Sequence, residues 1–306
     1  MGKRRSKNDE DGLVFPDLPS SELSAEDMID QAAARFEQHR VARDARRWME
    51  IKVKQNKPIA ICFMGDPHID SGGCNWSLLK RDIGYMEDTE GLYVVNIGDT
   101  TDNWVGRLQR LYADAEMTKK AAWKLAAYLL KQAKIKWMCI LLGNHDLWGD
   151  GPYLLKANAP PLVPVEEWQS RFVVVFPNGS RVKIHASHDF PGSSIWNPAH
   201  GMQKASMLME DADIYVCGHK HNWSITQSEN SQRGFMYFLL RAKGYKFIDS
   251  YANNHNFGEQ KHGASITVVI DPMAEEGHPQ KMHAFPDLRE AVEFLKWKRA
   301  QPVRKK

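Results

Sequence analysis

The order of apolar and polar positions divides the first half of the chain into short strands separated by helical stretches. Continuously apolar runs at 59–64, 92–97 and 137–142 predict strands that are covered on both faces, because a half-exposed strand would alternate. Residues 76–87 leave room for a crossover helix, and residues 113–134 have the strongest helical pattern of the chain. Strands alternating with helices are typical of an α/β fold with right-handed crossovers.

After Pro164 the helical stretches give way to strands. Two apolar runs, at 172–176 and 181–185, flank the pair Asn178-Gly179, which predicts a β-hairpin. The remaining predicted elements are strands at 214–217, 236–240 and 265–270 and a helix at 287–299. This order fits an αββα sandwich of two mixed β-sheets flanked by helices.

Polar ends surround this central region. We expect a flexible basic and polar tail at residues 1–22, an N-terminal basic helix at 23–56, a main domain at 57–285, and a C-terminal helix with a basic tail at 286–306.

The N-terminal helix has a recognisable start. Ser24 and Asp27 have capping-box spacing, and the helical pattern that follows should reach about Trp48. One stripe is apolar and the other faces carry several arginines. Two interpretations are open: a solvated helix packed on the main domain, or a basic arm that touches nucleic acid.

Composition narrows the class of protein. With 306 residues, 42% hydrophobic and 26% charged, the chain can form one large globular domain with appendages. The net charge of +3 does not by itself imply nucleic acid. No run approaches the roughly 18 apolar residues of a membrane span, and no apolar stretch follows the basic start, so we expect neither a membrane contact nor a signal peptide.

The cysteines indicate the redox environment of the protein. They are scattered and form no Cys-x-x-Cys pair: Cys62, Cys74, Cys139 and Cys217. This favours reduced, mostly buried thiols in a cytoplasmic protein, with one disulfide as the alternative.

Candidate metal ligands follow the predicted strands at the points where the strands end. They are acidic, amide and imidazole side chains: Asp66, His68, Asp99, Asn144, His188, His219 and His221. The carboxyl ends of neighbouring strands collect ligands in open α/β sheets, so these side chains should converge. In an extended chain, residues i and i+2 point to the same side, so each Asp-x-His or His-x-His pair can reach one cation. The mixed nitrogen and oxygen set suits Mn²⁺, Fe or Zn²⁺ better than Mg²⁺ or Ca²⁺.

The order and spacing of these motifs resemble the calcineurin-like metallophosphoesterases over roughly residues 57–285. The motifs are Asp66-Pro67-His68, Gly98-Asp99, Gly143-Asn144-His145-Asp146, His188-Asp189 and Gly218-His219-Lys220-His221. The resemblance implies two divalent metal ions, with Mn²⁺ as the first choice. It also implies one metal held by Asp66, His68 and His221, a second held by Asn144, His188 and His219, and a bridge through Asp99.

The same resemblance implies an activity. The chain is expected to hydrolyse phosphate esters with metal-bound hydroxide, with His145 serving the leaving group and Asp146 orienting the His145 ring. Protein phosphatases of the family continue the Asp99 motif with arginine after Asp102, whereas this chain has Asn103-Trp104. We therefore favour a phosphodiesterase acting on nucleotides or nucleic acid.

Several alternatives stay open at this stage. They are a phosphomonoesterase, a non-catalytic scaffold with this fold, and a nucleic-acid-binding protein that acts through its N-terminal helix. The partner expected first is a phosphate-ester substrate, with nucleic acid as the alternative, and the oligomeric state is undetermined. Residues 188–192 and 197–201 resemble stretches of phage- or prophage-encoded members of the family.

Two local questions depend on structure. His185 competes with His188 as a ligand, and His188 is favoured because it lies at the end of its predicted strand, as the other candidates do. Five tryptophans lie near the metal motifs: Trp76, Trp104, Trp148, Trp196 and Trp223. They fit either core and cleft packing or a stacking platform for a nucleobase.

Overall fold

The computed structural model describes residues 16, 22–114, 117–192, 194, 196–231, 234–248 and 260–302. The chain divides into two compact units, residues 1–45 and 46–306. Almost all of the polar tail expected at residues 1–22, and the basic residues at 303–306, lie outside the described residues.

The first unit contains helix α1 (Ala25–Ala45). Its predicted start is confirmed, because Ser24 Oγ accepts a hydrogen bond of 3.0 Å from the backbone N–H of Asp27. None of the residues of α1 is buried. The helix ends before Trp48, and residues 49–52, which we had assigned to the helical segment, form a strand instead.

The second unit contains two mixed sheets and five α-helices among the residues described. The strands are β1 (Met49–Lys52), β2 (Ile59–Met64), β3 (Leu92–Asn96), β4 (Trp137–Leu142), β5 (Val165–Glu167), β6 (Gln169–Val175), β7 (Arg181–Ser187), β8 (Ile214–Cys217), β9 (Ser224–Asn230), β10 (Phe235–Arg241), β11 (Ser265–Ile270) and β12 (Met282–Phe285). The helices are α2 (Trp76–Asp88), α3 (Lys119–Ala127), α4 (Gly151–Asn158), α5 (His200–Leu208) and α6 (Leu288–Ala300).

Sheet 1 has the strand order β1-β6-β7-β8-β10-β9, and sheet 2 has the order β12-β11-β2-β3-β4-β5. In sheet 2, strands β2, β3, β4 and β5 are parallel, and β11 runs antiparallel to β2. In sheet 1, β7, β8 and β10 are parallel, and β6 and β7 form the predicted hairpin. The carboxyl ends of two parallel groups are therefore available to build one site.

The apolar strands are buried on both faces because each sheet lies between the other sheet and helices. In β2, Ile61 and Phe63 belong to the core between the sheets, whereas Cys62 and Met64 pack with residues of α2, α3 and α6. On the outer face of sheet 1, Tyr215 packs with residues of α5. The predicted αββα sandwich of two mixed sheets is confirmed. Burial of each large apolar side chain contributes roughly 1.5–3 kcal/mol.

Some elements differ from the sequence prediction. The helix expected at 113–134 is shorter: residues 106–114 form a 3₁₀ helix, α3 begins after Thr118, and residues 128–132 form a π-helical turn. Strands β1, β5, β9 and β12 and helices α4 and α5 were not predicted. Among the described helices, none has both the length and the apolar character needed to cross a bilayer. The four cysteines are all free.

Candidate metal centre

Strand ends from both sheets meet at one site. Asp66, Asp99 and Asn144 follow the parallel strands β2, β3 and β4 of sheet 2, whereas His188 and His219 follow the parallel strands β7 and β8 of sheet 1. Because the two sheets pack face to face, these carboxyl ends approach each other across the sandwich. All seven predicted ligand residues lie within this one cluster, as the distances below show.

The first Asp/His group consists of Asp66, His68 and His221, whose ligand atoms lie within 4.8 Å of one another. His221 Nε2 is 3.8 Å from Asp66 Oδ2, and the rings of His68 and His221 stack at 5.2 Å. Asp66 Oδ1, His68 Nε2 and His221 Nδ1 are buried and have no hydrogen-bond partner among the described residues. A buried polar atom without a partner costs about 1–3 kcal/mol, and a cation in this group would satisfy the atoms that coordinate it.

The second group consists of Asp99, His188 and His219. His188 Nε2 lies 3.3 Å from Asp99 Oδ2, 3.1 Å from His219 Nδ1 and 3.0 Å from Asn144 Oδ1. Ligands that bind one cation at about 2.1 Å stand roughly 3 Å apart, so these four atoms have the spacing of a ligand set. His188 Nδ1 lies 3.0 Å from the carbonyl oxygen of Ile97, which fixes its hydrogen on Nδ1 and leaves Nε2 for a metal.

Asp99 lies between the two groups. Its Oδ2 is 3.8 Å from His68 Nε2 and 3.3 Å from His188 Nε2, whereas its Oδ1 accepts a hydrogen bond of 2.9 Å from the backbone N–H of His145. The same Asp99 oxygen therefore faces both groups, while the other accepts from the backbone.

The candidate ligands lie in turns with unusual backbone angles, not in extended chain. His68, Asp99, His219 and His221 have φ values of 41°, 52°, 67° and 48°. The argument that residues i and i+2 of an extended strand share a side is therefore wrong for both histidine-containing pairs. Non-glycine residues in this left-handed region cost about 1–3 kcal/mol each and concentrate at functional sites.

Two glycines allow the carboxylates to approach the backbone. A Cβ at Gly143 would stand 2.2 Å from Asp99 Oδ1 and 2.6 Å from His188 Cε1. A Cβ at Gly218 would stand 2.5 Å from Asp66 Oδ1. Real Cβ atoms do not come so close to other atoms, so any larger residue would displace the candidate ligands.

The buried charges of the site depend on one another. Burial raises the pKa of Asp66 to about 6. Burial also disfavours the charged form of Asp99, but the hydrogen bond and charge of His188 outweigh it and lower the Asp99 pKa. The same contact raises the pKa of His188 against the opposing effect of burial. A bound cation would take over the compensating role of the His188 proton.

His219 and His221 are suited to bind metal as neutral rings. Burial is the largest cause in each case, and it lowers the pKa of both histidines. Neutral imidazole is the form that binds metal ions. With carboxylate, amide and imidazole donors within reach of one another, the Asp/His groups could hold divalent metal ions.

The contacts of His145 require one correction. Asp146 was expected to orient the His145 ring, but its two oxygens accept hydrogen bonds from the backbone N–H groups of Thr100 and Gly143, at 3.0 and 3.1 Å. The ring Nδ1 of His145 lies 2.5 Å from the carbonyl oxygen of Asp102. Asp146 therefore ties the two ligand loops together, while the backbone at Asp102 orients the ring.

Asp102 supports His68. Its carboxylate Oδ1 lies 2.7 Å from His68 Nδ1. Burial is the largest single influence and lowers the pKa of His68, but the hydrogen bond and charge of Asp102 together with the charge of Asp99 outweigh it, so the His68 pKa is raised. The Asp102 carboxylate thus holds one imidazole nitrogen and directs the other toward Asp99.

His185 and His188, the two histidines near the end of β7, have different surroundings. His188 belongs to the second group, whereas His185 points to the outer face of sheet 1, where its Nε2 lies 3.0 Å from Gln169 Oε1 and its ring contacts Phe190 at 4.9 Å. Burial lowers the pKa of His185 to about 3.

Sequence reasoning missed two neighbours of the site. Trp168, with φ of 66°, places its ring 5.3 Å from that of His188, and its carbonyl oxygen accepts a 2.7 Å hydrogen bond from His188 N. Lys246 Nζ lies 3.6 Å from Asp102 Oδ1. The signal for Trp168 is its place directly after strand β5, parallel to β4. No pattern along the chain marks Lys246.

Two further basic residues near the site are engaged in contacts with its loops. Arg241 is buried, and it donates to the carbonyl oxygens of Pro198 and Gly218 and pairs with Asp189. Lys220 donates to the carbonyl oxygen of Gly192. Arg241 therefore braces the loops that follow β7 and β8.

Comparison with known proteins adds little to this geometry. No family model and no curated protein sequence matches the chain. The NAD nucleotidase NadN of Haemophilus influenzae is similar with a TM-score of 0.40 and 12% identity, over 75% of this chain and 49% of that protein. GAP50, described as the anchor in the inner membrane complex of Plasmodium, is similar with a TM-score of 0.36 and 10% identity, over 80% of this chain and 96% of that one.

The chain spans about half the length of NadN. Both similarities are too low to support an inference about activity or substrate, so the functional argument depends on the site itself.

Proposed function

We propose that the protein is a hydrolase of phosphate esters that depends on two divalent cations. The observation that carries the proposal is the position of Asp99, whose Oδ2 faces His68 of one Asp/His group and His188 of the other. Two ligand groups that share one carboxylate suit two cations about 3.5–4 Å apart.

The proposed ligands form two sets that share Asp99: Asp66, His68 and His221 for one cation, and Asn144, His188 and His219 for the other. Bound there, the cations would lower the pKa of a water molecule and offset the charge that develops on the phosphoryl group. Mn²⁺ is the first choice for this donor set, with Fe and Zn²⁺ as alternatives.

His145 is the proposed proton donor to the leaving oxygen. The carbonyl oxygen of Asp102 can only accept, so its 2.5 Å contact places a hydrogen on His145 Nδ1 and leaves Nε2 to carry the second proton, which the charged ring would give to the leaving oxygen. Burial lowers the His145 pKa, so the charged ring readily gives up that proton. Lys246, whose ammonium group lies beside Asp102, would add positive charge at the same edge of the site. Asp146 contributes by fixing the loops that carry Asp99 and His145.

The substrate class that we favour is a phosphodiester of nucleotides or nucleic acid. The motif after Asp99 continues with Asn103-Trp104, so the arginine that would clamp a free phosphate group in a protein phosphatase is missing. Asn103 stands in place of that arginine, and the aromatic side chain of Trp104 follows it. Phosphomonoester hydrolysis is the nearest alternative.

Hydrolysis of two synthetic esters by metal-stripped protein, with Mn²⁺ added back, tests this proposal. We expect Mn²⁺ to restore cleavage of bis-p-nitrophenyl phosphate at a higher kcat/KM than that of p-nitrophenyl phosphate. Cleavage of the monoester alone would overturn the diester preference. If protein that has bound metal cleaves neither ester, the proposed hydrolase activity is overturned.

A further inference from the structure

Two tryptophans border the proposed proton donor. The ring of His145 lies 4.8 Å from that of Trp104 and 4.4 Å from that of Trp148, and the two indoles are 6.1 Å apart. Both indoles are partly exposed. An aromatic surface that remains accessible beside a reacting group is available to a substrate, unlike the fully buried aromatic rings of the core.

The two tryptophans come from different loops, and Asn103 joins these loops. The Asn103 side-chain amide donates to the carbonyl oxygens of His145 and Trp148, at 2.9 and 2.8 Å. Asn103 is itself buried and has a φ of 38°, in the left-handed region. The backbone segments that carry the two indoles are therefore joined by a buried polar contact, so little ordering of these loops is required when a ligand binds.

A positive charge lies at the edge of this aromatic pair. Lys246 Nζ is 5.8 Å from the centroid of the Trp104 ring and 3.6 Å from Asp102 Oδ1. The aromatic faces and the Lys246 ammonium group thus lie beside the cluster of candidate metal ligands. A nucleotide has the matching parts: a flat base, a sugar and an anionic phosphate.

We infer that Trp104 and Trp148 form a stacking wall for the leaving group, and that this leaving group is a nucleoside. The inference rests on the proposed function, because it is the position of His145 that marks the leaving-group side. Stacking of one base on aromatic side chains should contribute roughly 5- to 100-fold in affinity. The wall selects for a flat ring and is tolerant of base identity, since every base has a π-face.

Three other tryptophans near the site, Trp76, Trp223 and Trp168, are less suited to this role. Trp76 donates from Nε1 to the carbonyl oxygen of Ile69 and packs against the helix side of sheet 2, whereas Trp223 packs against the core between the sheets. Trp168 lies on the side of His188 and His219, away from the proton donor. These contacts separate the wall from general packing around the site.

Equilibrium binding of two phosphonates to the Mn²⁺-loaded protein tests the wall without turnover. The first is the analogue of AMP in which carbon replaces the ester oxygen, which cannot be hydrolysed as an ester, and the second is methylphosphonate, which has no base. By calorimetry we expect the nucleoside analogue to bind roughly 5- to 100-fold more tightly than methylphosphonate.

The double variant Trp104→Ala/Trp148→Ala should lose the difference in affinity between the two phosphonates. The variant Trp104→Phe/Trp148→Phe should keep most of it. Trp297→Ala is the matched control, because Trp297 is an exposed tryptophan of α6. It should leave both affinities unchanged.

The outcomes separate the two proposals. Equal affinities for both phosphonates in the wild-type protein, or an undiminished difference in the alanine variant, would overturn the wall. If bis-p-nitrophenyl phosphate is still cleaved in an Mn²⁺-dependent way, the proposed function survives that result. Failure of the wild-type protein to bind either phosphonate, together with absence of ester cleavage, would overturn both.

Discussion

At the scale of single residues, the site depends on close approach between side chains and glycines. Gly143 is the clearest case, since its missing Cβ leaves room for Asp99 and His188. We expect Gly143→Ala to displace both side chains and weaken metal binding at least tenfold, as measured by calorimetric titration with Mn²⁺.

A matched glycine provides the control for this prediction. Gly84 lies in α2, and a Cβ there would meet no atom within 4 Å. Gly84→Ala should leave Mn²⁺ affinity unchanged and stabilise the helix by up to about 1 kcal/mol. Equal Mn²⁺ affinity in both variants would show that Gly143 does not shape the site.

His145 should affect the rate without holding the metals. Its backbone N–H contacts Asp99, and this contact survives the change of side chain. We expect His145→Ala to keep its bound Mn²⁺ while kcat for ester hydrolysis falls about 10²- to 10⁴-fold, the usual contribution of a general acid. Metal analysis and steady-state kinetics on the same sample would check both parts, and an unchanged kcat would remove His145 from the mechanism.

Sequence reasoning at this scale identified which residues converge but not how they do so. Strand ends predicted the positions of Asp66, Asp99 and Asn144, because the carboxyl ends of parallel strands share an edge. The left-handed angles at His68 and His219 were not predictable, since non-glycine residues rarely adopt them. Lys246 reaches the site through tertiary contacts that leave no periodic signal.

At the scale of secondary-structure elements, strongly patterned segments were predicted and weakly patterned ones were not. Strands β2 and β4 are apolar throughout, and β11 is apolar at four of its six positions, because both faces of each strand are buried. Strand β5, by contrast, is the three-residue edge strand Val165–Glu167, with two acidic residues and no apolar run. Its neighbour Trp168 was missed for the same reason.

The start of α6 gives a prediction for acid stability. Asp287 caps the helix by accepting from the N–H groups of Arg289 and Glu290, and it pairs with Arg81 at 3.0 Å. Burial opposes its charge, but the hydrogen bond and charge of Arg81, together with the two backbone N–H groups, outweigh burial and lower the Asp287 pKa. A lowered pKa stabilises the fold above the unfolded-state value near 3.9, and this contribution disappears as the pH falls through the folded-state pKa.

Asp287→Asn separates the charge from the cap, because asparagine also caps helices well. We expect the variant to lose less than about 1 kcal/mol at pH 7, since the pair is partly exposed to solvent. The difference from the wild-type protein should shrink toward zero as the pH falls through the folded-state pKa of Asp287. Urea denaturation at pH 7 and at low pH would check this, and a difference that grows with acid would contradict it.

At the scale of the whole molecule, the packing of two sheets between helices buries the thiols together with the core. Cys62, Cys139 and Cys217 are fully buried, and Cys74 is partly buried. Burial raises the pKa of each of these four thiols to about 12. Thiolate is the reactive form, so these cysteines should be nearly inert at neutral pH.

A thiol titration tests this consequence of the fold. In the native protein at pH 8, fewer than one thiol per chain should react with Ellman's reagent within minutes, whereas all four should react in guanidinium chloride. Rapid reaction of two or more thiols in the native protein would contradict the buried core described here.

The sandwich also explains why the candidate site needs both sheets. Sheet 2 supplies the carboxylates and the amide, and sheet 1 supplies His188, His219 and His221. The continuous apolar strands made this architecture predictable, because both faces of each sheet must be covered. The tilt and register that bring His219 Nδ1 to 3.1 Å from His188 Nε2 come from packing and could not be derived from the chain.

The most direct test of the central claim is the number of Mn²⁺ ions bound per chain, measured by elemental analysis of the wild-type protein and Asp99→Asn. Because Asp99 faces both groups, the account predicts two ions in the wild-type protein, with both weakened and ester hydrolysis abolished in the variant. Two ions bound with wild-type affinity and full hydrolysis in Asp99→Asn would contradict it.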